Sequence, residues 1–265
     1  MELVSPIAAF ALTALALMPR AAEDPQQGYT RSAPTAMRSA PTQGLAHIQA
    51  GERAVDVYQK KPKGEGTWPG VVMLHDSMGM SRQAMDMVER LSAEGFVVYA
   101  PDLYGGRYAL DADKGRELSV LMNEEEALLS IEALVAHVRS LPEVGDHRVG
   151  VVGFDMGGAL ALKVAMGSQD LSALAVADTR PKVDADGLRR IGCPILALFA
   201  GNDEKIPPAD IAGFRAALSA AGRTADLKIF DGVGHGFMKH GDPSYKAEDA
   251  GAAWARIVAF FKENL

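Results

Sequence analysis

The stretch VGVVGFDMGG, residues 149–158, decides the fold. It begins with an apolar run typical of a buried strand and ends in a glycine-rich turn that opens a helix. The spacing Gly153-x-Asp155-x-Gly157 is typical of a nucleophile elbow, a tight strand-to-helix turn that lifts one side chain clear of the sheet. Only glycine fits beside so tight a turn. The pattern makes Asp155 a candidate nucleophile, and the alternative is an ordinary turn with Asp155 as the helix N-cap.

Apolar runs of this kind recur along the chain and alternate with segments of helical periodicity. The runs predicted as strands are residues 70–74, 96–100, 171–177, 195–200 and 227–230, and residues 45–58 are predicted as two strands joined at Ala50-Gly51-Glu52. The segments predicted as helices are residues 81–93, 124–140, 208–221 and 246–263. Wholly apolar strands separated by helices indicate an α/β protein with a mainly parallel sheet and helices on both faces. Ligands bind beyond the carboxyl ends of such strands.

Two further polar residues follow predicted strands after the elbow. Asp203 ends the segment GND after the strand at residues 195–200, and His235 is the centre of GHG after the strand at residues 227–230. The order nucleophile, acid, histidine is that of the α/β-hydrolase fold. We therefore predict this fold, with Asp155, Asp203 and His235 as a catalytic triad.

The segment HDSMG, residues 75–79, follows the first wholly apolar strand. The fold places one amide of the oxyanion hole in this loop, and the residue after the nucleophile supplies the second. The amides of Ser77 and Met156 are therefore the candidate oxyanion donors. His75 and Asp76 are predicted to line the site, with ordinary loop residues as the alternative.

With these motifs and with APDLY at residues 100–104, residues 45–265 resemble the dienelactone hydrolase family. That family hydrolyses small lactones and esters through a Cys-His-Asp triad. By this resemblance Asp155 stands where the family has its cysteine. Asp203 and His235 stand at the positions of its aspartate and histidine.

The resemblance also concerns substrate binding. The family holds a carboxylate near the resting thiol, at the position of Asp76, and it binds the substrate's carboxylate with two arginines. Lys239 stands at one arginine position. Arg107 is close to the other, shifted by the extra glycine of Gly105-Gly106. The resemblance therefore implies a small-molecule substrate, with an anionic one as the specific expectation. No cofactor and no metal are expected, and the alternative is a metal ion held by Asp155, Asp76 and His235.

Asp155 is the departure from the family pattern. A carboxylate is ionised near neutral pH and needs no base to activate it. Attack on an ester carbonyl would give a mixed anhydride, whereas attack on a saturated carbon would give an alkyl ester that water cleaves, with His235 as general base. Haloalkane and haloacid dehalogenases and epoxide hydrolases use Asp in this second way. An alkyl halide or epoxide is therefore expected beside a lactone or ester. The alternatives are a binding module that has lost catalysis and an isomerase with Asp155 as base.

Composition argues against several other classes of function. The chain of 265 residues has a formal net charge of −7 and no run of Lys or Arg, which disfavours nucleic acid and anionic membranes as partners. Cys193 is the single cysteine, so no disulfide can form within the chain. Its apolar setting predicts a buried, inert thiol.

The N-terminus has an apolar run at residues 7–18, which is of signal-peptide length and too short to span a bilayer. It predicts an export signal over residues 1–22 and a periplasmic or secreted protein. Glu2 and the absence of Lys and Arg before the run argue against export. The alternatives are an N-terminal extension or a true start at Met37, with a cytoplasmic protein.

Residues 23–44 are rich in Pro, Gly, Gln, Ser and Thr. Such a composition buries too little apolar surface to offset the entropy of ordering, so it predicts a flexible linker. The folded domain is therefore expected at residues 45–265.

Overall fold

The computed structural model describes residues 37–39 and 44–265. The predicted export signal and most of the predicted linker lie outside the described residues. The strands are β1 (Met37–Ser39), β2 (Leu45–Ala50), β3 (Arg53–Lys60), β4 (Trp68–Leu74), β5 (Val97–Pro101), β6 (Arg107–Ala109), β7 (Val144–Phe154), β8 (Ala173–Ala177), β9 (Ile195–Ala200) and β10 (Asp226–Phe230). The helices are α1 (Arg82–Ala93), α2 (Ala112–Leu121), α3 (Glu124–Ser140), α4 (Met156–Gly167), α5 (Ala185–Arg190), α6 (Pro208–Ala221) and α7 (Ala247–Asn264).

Eight strands form the central sheet, in the order β10-β9-β8-β7-β4-β5-β3-β2. The strands from β5 to β10 in this order pair in parallel. The hairpin of β2 and β3 is antiparallel and joins β5 at the edge of the sheet. The expectation of a mainly parallel sheet is confirmed, and the carboxyl ends of β4, β7, β8, β9 and β10 meet at one edge.

Helices cover both faces of this sheet, as the wholly apolar strands predicted. On one face Ile131 of α3, Leu160 of α4 and Phe214 of α6 belong to a single buried cluster with the strands. On the other face Val88 of α1 and Trp254 of α7 pack into a second cluster. No helix in residues 44–265 is both long enough and apolar enough to cross a membrane.

Local signals set the ends of the helices. Ser81 caps α1, since its side chain accepts a hydrogen bond from the amide of Ala84. The chain then leaves α1 at Gly95, whose φ of 104° is readily available only to glycine. Both positions agree with the boundaries that the sequence predicted.

Four elements were missed by the sequence reading, namely β1, β6, α2 and α5. Strand β1 lies within the segment predicted as a linker, and it pairs antiparallel with β6. Strand β6 also makes a bridge from Tyr108 to Gly79 in the loop after β4. Strands of three residues are specified by such tertiary pairing rather than by a periodic apolar pattern.

Cys193 is buried, with 5% of its surface exposed. Burial raises the pKa of its thiol to about 11. The thiolate is therefore scarce near neutral pH, which agrees with the predicted inert role.

Candidate active site

Asp155 occupies a strained turn between β7 and α4. Its φ of 50° and ψ of −113° are unfavourable for a residue with a Cβ atom. The turn is compact, since a Cβ on Gly153 would lie 2.3 Å from the carbonyl oxygen of Gly157. A Cβ on Gly157 would lie 2.4 Å from the carbonyl oxygen of His75. Glycine is therefore required at both positions, as the elbow spacing predicted.

Backbone contacts to the neighbouring strand hold this turn in place. The amide of Asp155 donates to the carbonyl oxygen of Ala177 at 3.0 Å, and the hydroxyl of Thr179 donates to the carbonyl oxygen of Asp155 at 3.1 Å. The end of β8 thus fixes the backbone of Asp155. The side chain is left free of any role in building the turn.

His235 is held by Asp203. The Nδ1 of His235 donates to Oδ2 of Asp203 at 2.8 Å. The other oxygen of Asp203 accepts the amides of Lys205 at 2.8 Å and Ile206 at 3.2 Å. The side chain of Asp203 is fully buried, and burial alone would raise its pKa. The hydrogen bond and charge of His235, together with the two backbone amides, outweigh burial, so the pKa of Asp203 lies below its usual range.

The imidazole of His235 faces Asp155. Its Nε2 lies 3.7 Å from Oδ1 of Asp155, close but beyond hydrogen-bond distance. Nε2 is buried and has no hydrogen-bond partner within residues 44–265. Burial opposes charging of the ring, but the hydrogen bond and charge of Asp203, with the charge of Asp155, raise the pKa of His235. A ring fixed through Nδ1 with a free Nε2 is suited to accept a proton at the site.

The loop after β4 touches the second oxygen of Asp155. Asp76 to Gly79 form a turn closed by a 3.1 Å hydrogen bond from the amide of Gly79 to the carbonyl oxygen of Asp76. The hydroxyl of Ser77 donates to Oδ2 of Asp155 at 2.7 Å. The sequence predicted a role for the amide of Ser77 but missed this role of its hydroxyl. No hydrogen bond within residues 44–265 engages the amides of Ser77 or Met156.

Asp76 and Lys239 form an ion pair in the site. Nζ of Lys239 lies 2.6 Å from Oδ2 of Asp76, and both side chains are largely buried. Burial opposes the charge of Lys239, but the charge and hydrogen bond of Asp76, with the charges of Asp155 and Asp178, more than compensate and raise the pKa of Lys239. An anionic substrate would therefore compete with Asp76 for this ammonium group.

Arg107, the other residue predicted to bind substrate, does not line the pocket at Asp155. It is exposed on β6, and its Nε donates to the carbonyl oxygen of Tyr104 at 3.0 Å. A role of Arg107 in binding substrate stays a prediction. The short strand β6, which the sequence did not reveal, sets the direction of this side chain.

His75 has a structural role beside the site. Its Nε2 accepts the amide of Leu103 at 3.2 Å, so Nδ1 carries the proton and lies 2.7 Å from the carbonyl oxygen of Asp76. Burial lowers the pKa of His75, which keeps the ring neutral. Both ring nitrogens are occupied by backbone groups, and His75 is therefore a support of the loop as well as part of the pocket lining.

A pocket opens beside Asp155 and has two kinds of wall. The apolar side chains that line it include Met73, Ala84, Met87, Phe154 and Met238. The charged or titratable side chains that line it are His75, Asp76, Asp155, Asp178 and Lys239. The described part of the chain contains no group of three or more His, Cys, Asp or Glu side chains suited to a metal ion.

Asp178 is the residue that sequence reasoning missed. It follows β8 directly, and its side chain is 5% exposed. Its Oδ2 accepts the amide of Gly236, next to His235, at 3.0 Å. Burial raises the pKa of Asp178 to about 7. The available signal was its position after a wholly apolar strand, the same signal that singled out Asp203.

The parallel sheet, the elbow and the grouping of Asp155, His235 and Asp203 at the carboxyl ends of the strands define a protein of the α/β-hydrolase class. The profile of the dienelactone hydrolase family matches residues 55–265. The chain therefore belongs to the dienelactone hydrolase family, which is a family of hydrolases.

Individual relatives agree with this assignment. A Methylorubrum extorquens protein named "Putative carboxymethylenebutenolidase" is 26% identical over 236 residues, which cover 83% of this chain and 80% of that protein. An Escherichia coli protein of the same name is 28% identical over 236 residues, covering 83% and 86%. A solved structure from Klebsiella pneumoniae, named as a putative dienelactone hydrolase, has a TM-score of 0.74 at 23% identity and covers 86% of this chain and 99% of its own.

Proposed function

We propose that this protein is a small-molecule hydrolase in which Asp155 is the nucleophile and His235, oriented by Asp203, is the general base. The observation that carries the proposal is the free, buried Nε2 of His235, 3.7 Å from Oδ1 of Asp155. A histidine with one nitrogen fixed by a carboxylate and the other directed at a strained nucleophile is the arrangement that base catalysis needs.

Two classes of bond are open to a carboxylate nucleophile. Attack on a lactone or ester carbonyl expels an alkoxide and leaves a mixed anhydride on Asp155. Attack on a saturated carbon opens an epoxide or expels a halide and leaves an alkyl ester on Asp155. In both cases water, deprotonated by His235, then cleaves the intermediate. The names of the relatives support lactones as the first substrates to test.

The surroundings of Asp155 favour the alkyl ester over the anhydride. Oδ1 faces His235, whereas Oδ2 accepts the hydroxyl of Ser77 and lies next to its turn. Water directed by His235 onto the carboxyl carbon of Asp155 would place negative charge on Oδ2, beside that donor. The free amides of Ser77 and Met156 are the further candidates for stabilising this oxyanion. These donors would then stabilise the oxyanion that forms when water attacks the ester of Asp155 itself. We therefore propose epoxides or alkyl halides as substrates alongside lactones.

The first experiment is a substrate panel of dienelactone-like lactones, aryl esters, haloacids and epoxides. Wild type is compared with Asp155→Asn and with Asp113→Asn, which changes a carboxylate that is 88% exposed on α2. We expect turnover of at least one class, a loss of about a thousandfold or more in Asp155→Asn, and no change in Asp113→Asn. Equal activity of all three proteins would overturn the proposal. Saturable binding without turnover would instead support a binding module.

A second experiment identifies the chemical step. A single turnover with excess enzyme is run in water labelled with heavy oxygen, and the peptide that contains Asp155 is analysed by mass spectrometry. An alkyl ester intermediate gives a labelled Asp155 and an unlabelled alcohol product. If Asp155 acted only as a base on water, the label would be found in the product and not in the enzyme, and the nucleophilic role would be refuted.

A further inference from the structure

Asp178 carries one oxygen for which the protein supplies no partner. Its Oδ2 accepts the amide of Gly236, but Oδ1 is buried and has no hydrogen-bond partner within residues 44–265. A buried polar atom left in this way is uncommon and calls for an explanation. The backbone holds the side chain here, because φ is 50° and the amide donates to the carbonyl oxygen of Leu198 at 3.1 Å.

The surroundings keep this carboxyl mainly uncharged below about pH 7. Burial raises its pKa to about 7, Asp203 acts in the same direction, and His235 and Lys239 act in the opposite one. The ionisable groups that act on its charge or share its pocket are His75, Asp76, Asp155, Asp203, His235 and Lys239. Since Oδ2 already accepts the Gly236 amide, the proton of the neutral acid belongs on Oδ1. The neutral group is then a hydrogen-bond donor without an acceptor.

The pocket itself offers the place for that acceptor. Asp178 lines the same pocket as Asp155, and the neighbouring walls are the apolar side chains of Met73, Met87 and Met238. In the proposed reaction, a substrate bound at Asp155 would extend between these walls. The apolar walls favour an apolar group in this part of the substrate, and one oxygen atom in that group would accept a hydrogen bond from Oδ1 of Asp178.

We propose that Asp178 is a further substrate-binding group, whose Oδ1 donates a hydrogen bond to an ether or carbonyl oxygen in the part of the substrate that fills this pocket. The inference rests on the proposed function for the reaction at Asp155, and it adds the substrate class. The favoured substrates are uncharged molecules with one acceptor oxygen a few atoms from the reacting centre.

The test uses matched substrates that differ by one oxygen. For epoxides the pair is ethyl glycidyl ether and its all-carbon analogue epoxyhexane, and for esters the pair is nitrophenyl methoxyacetate and nitrophenyl butyrate. The ratio of kcat/KM for the two members is measured in wild type, Asp178→Asn and Asp178→Leu, with the pair whose class responds in the panel. Comparing ratios between variants cancels the intrinsic reactivity of each substrate.

We expect Asp178→Leu to lower the preference for the oxygen-containing member by about threefold to tenfold, the effect of one hydrogen bond. Asp178→Asn keeps an N–H donor and should keep the preference. In wild type the preference should fall between about pH 6 and about pH 9 as Asp178 ionises, while Asp178→Asn shows no such fall. This second comparison remains available if Asp178→Leu does not fold.

A purely structural role for Asp178 would change both members of a pair equally, and ratios that stay constant across variants and pH would overturn the inference. If wild type turns over neither pair, the proposed function is decided by the wider panel alone. Binding of methoxyacetone and pentan-2-one, followed by ligand-observed NMR, then tests Asp178 without turnover. Weaker binding of methoxyacetone alone in Asp178→Leu supports the inference, and equal changes for both ketones refute it.

Discussion

Replacing Asp178 by Asn should change how the stability of the fold depends on pH. The exposed carboxyl has a pKa of 3.8, and burial raises the pKa of Asp178 to about 7 in the folded state. Between these values the folded protein binds more protons than the unfolded chain. The free energy of unfolding therefore falls as pH rises through this window, by up to about 1.4 kcal/mol per pH unit for this group. Above about pH 8 the destabilisation is nearly complete and constant.

Asn cannot ionise, and its carbonyl oxygen can accept the Gly236 amide in place of Oδ2. The Asp178→Asn variant therefore lacks the part of the pH dependence that Asp178 causes. Integrating the linkage between about pH 5 and about pH 8 gives a gain for Asp178→Asn relative to wild type of about 2–3 kcal/mol. Any pH-independent effect of the substitution cancels in this comparison.

The assay is urea denaturation of both proteins at several pH values, with the free energy of unfolding obtained by linear extrapolation. Asp113→Asn, at an exposed position, is the control and should follow wild type at every pH. If the free energy of unfolding of Asp178→Asn minus that of wild type is constant over this range, or falls as pH rises, the reasoning is refuted.

Two further predictions concern the histidine and the elbow. Asp203 raises the pKa of His235, so Asp203→Asn should move the acidic limb of the pH profile of kcat/KM to lower pH. The substitution should also reduce the plateau value of kcat/KM by about a thousandfold or more. An acidic limb that does not move would contradict the pairing of Asp203 with His235. A Cβ on Gly158 would lie 1.8 Å from Oγ1 of Thr179, so Gly158→Ala should lower the free energy of unfolding by about 2 kcal/mol or more. Gly213 lies in helix α6 with open space around it, so Gly213→Ala should raise the free energy of unfolding by about 0.5–1 kcal/mol in the same denaturation assay. Similar effects of the two substitutions would contradict the packing argument.

Elements with strong local signals were predictable from the sequence. Helices α3 and α6 and strand β9 have the bounds that the sequence predicts from apolar periodicity. The elbow was predictable as well, because its geometry depends on close backbone contacts that exclude every residue but glycine at Gly153 and Gly157. In these cases the local sequence and the tertiary structure require the same conformation.

Features that depend on contacts between distant segments were not predictable. Strands β1 and β6 have three residues each and exist through their mutual pairing. Arg107 is exposed on β6, and the resemblance to the family gave no sign of that strand. For Asp178 the sequence shows a carboxylate after a strand, but its burial and its unpartnered oxygen arise from loops that are far apart in the chain.

The way in which the elbow is built has a consequence for evolution. Its shape comes from glycines and from the hydrogen bonds of Asp155's main chain to Ala177 and Thr179, and the carboxylate contributes nothing to the turn. If Asp155 is the nucleophile as proposed, selection can exchange the reacting atom at this position, sulfur for oxygen, without a change in the backbone of the turn. The backbone of the turn can therefore be conserved while the side chain at position 155 changes. A lineage could cross from one reaction to another by a single codon change, with the surrounding loops adapting later.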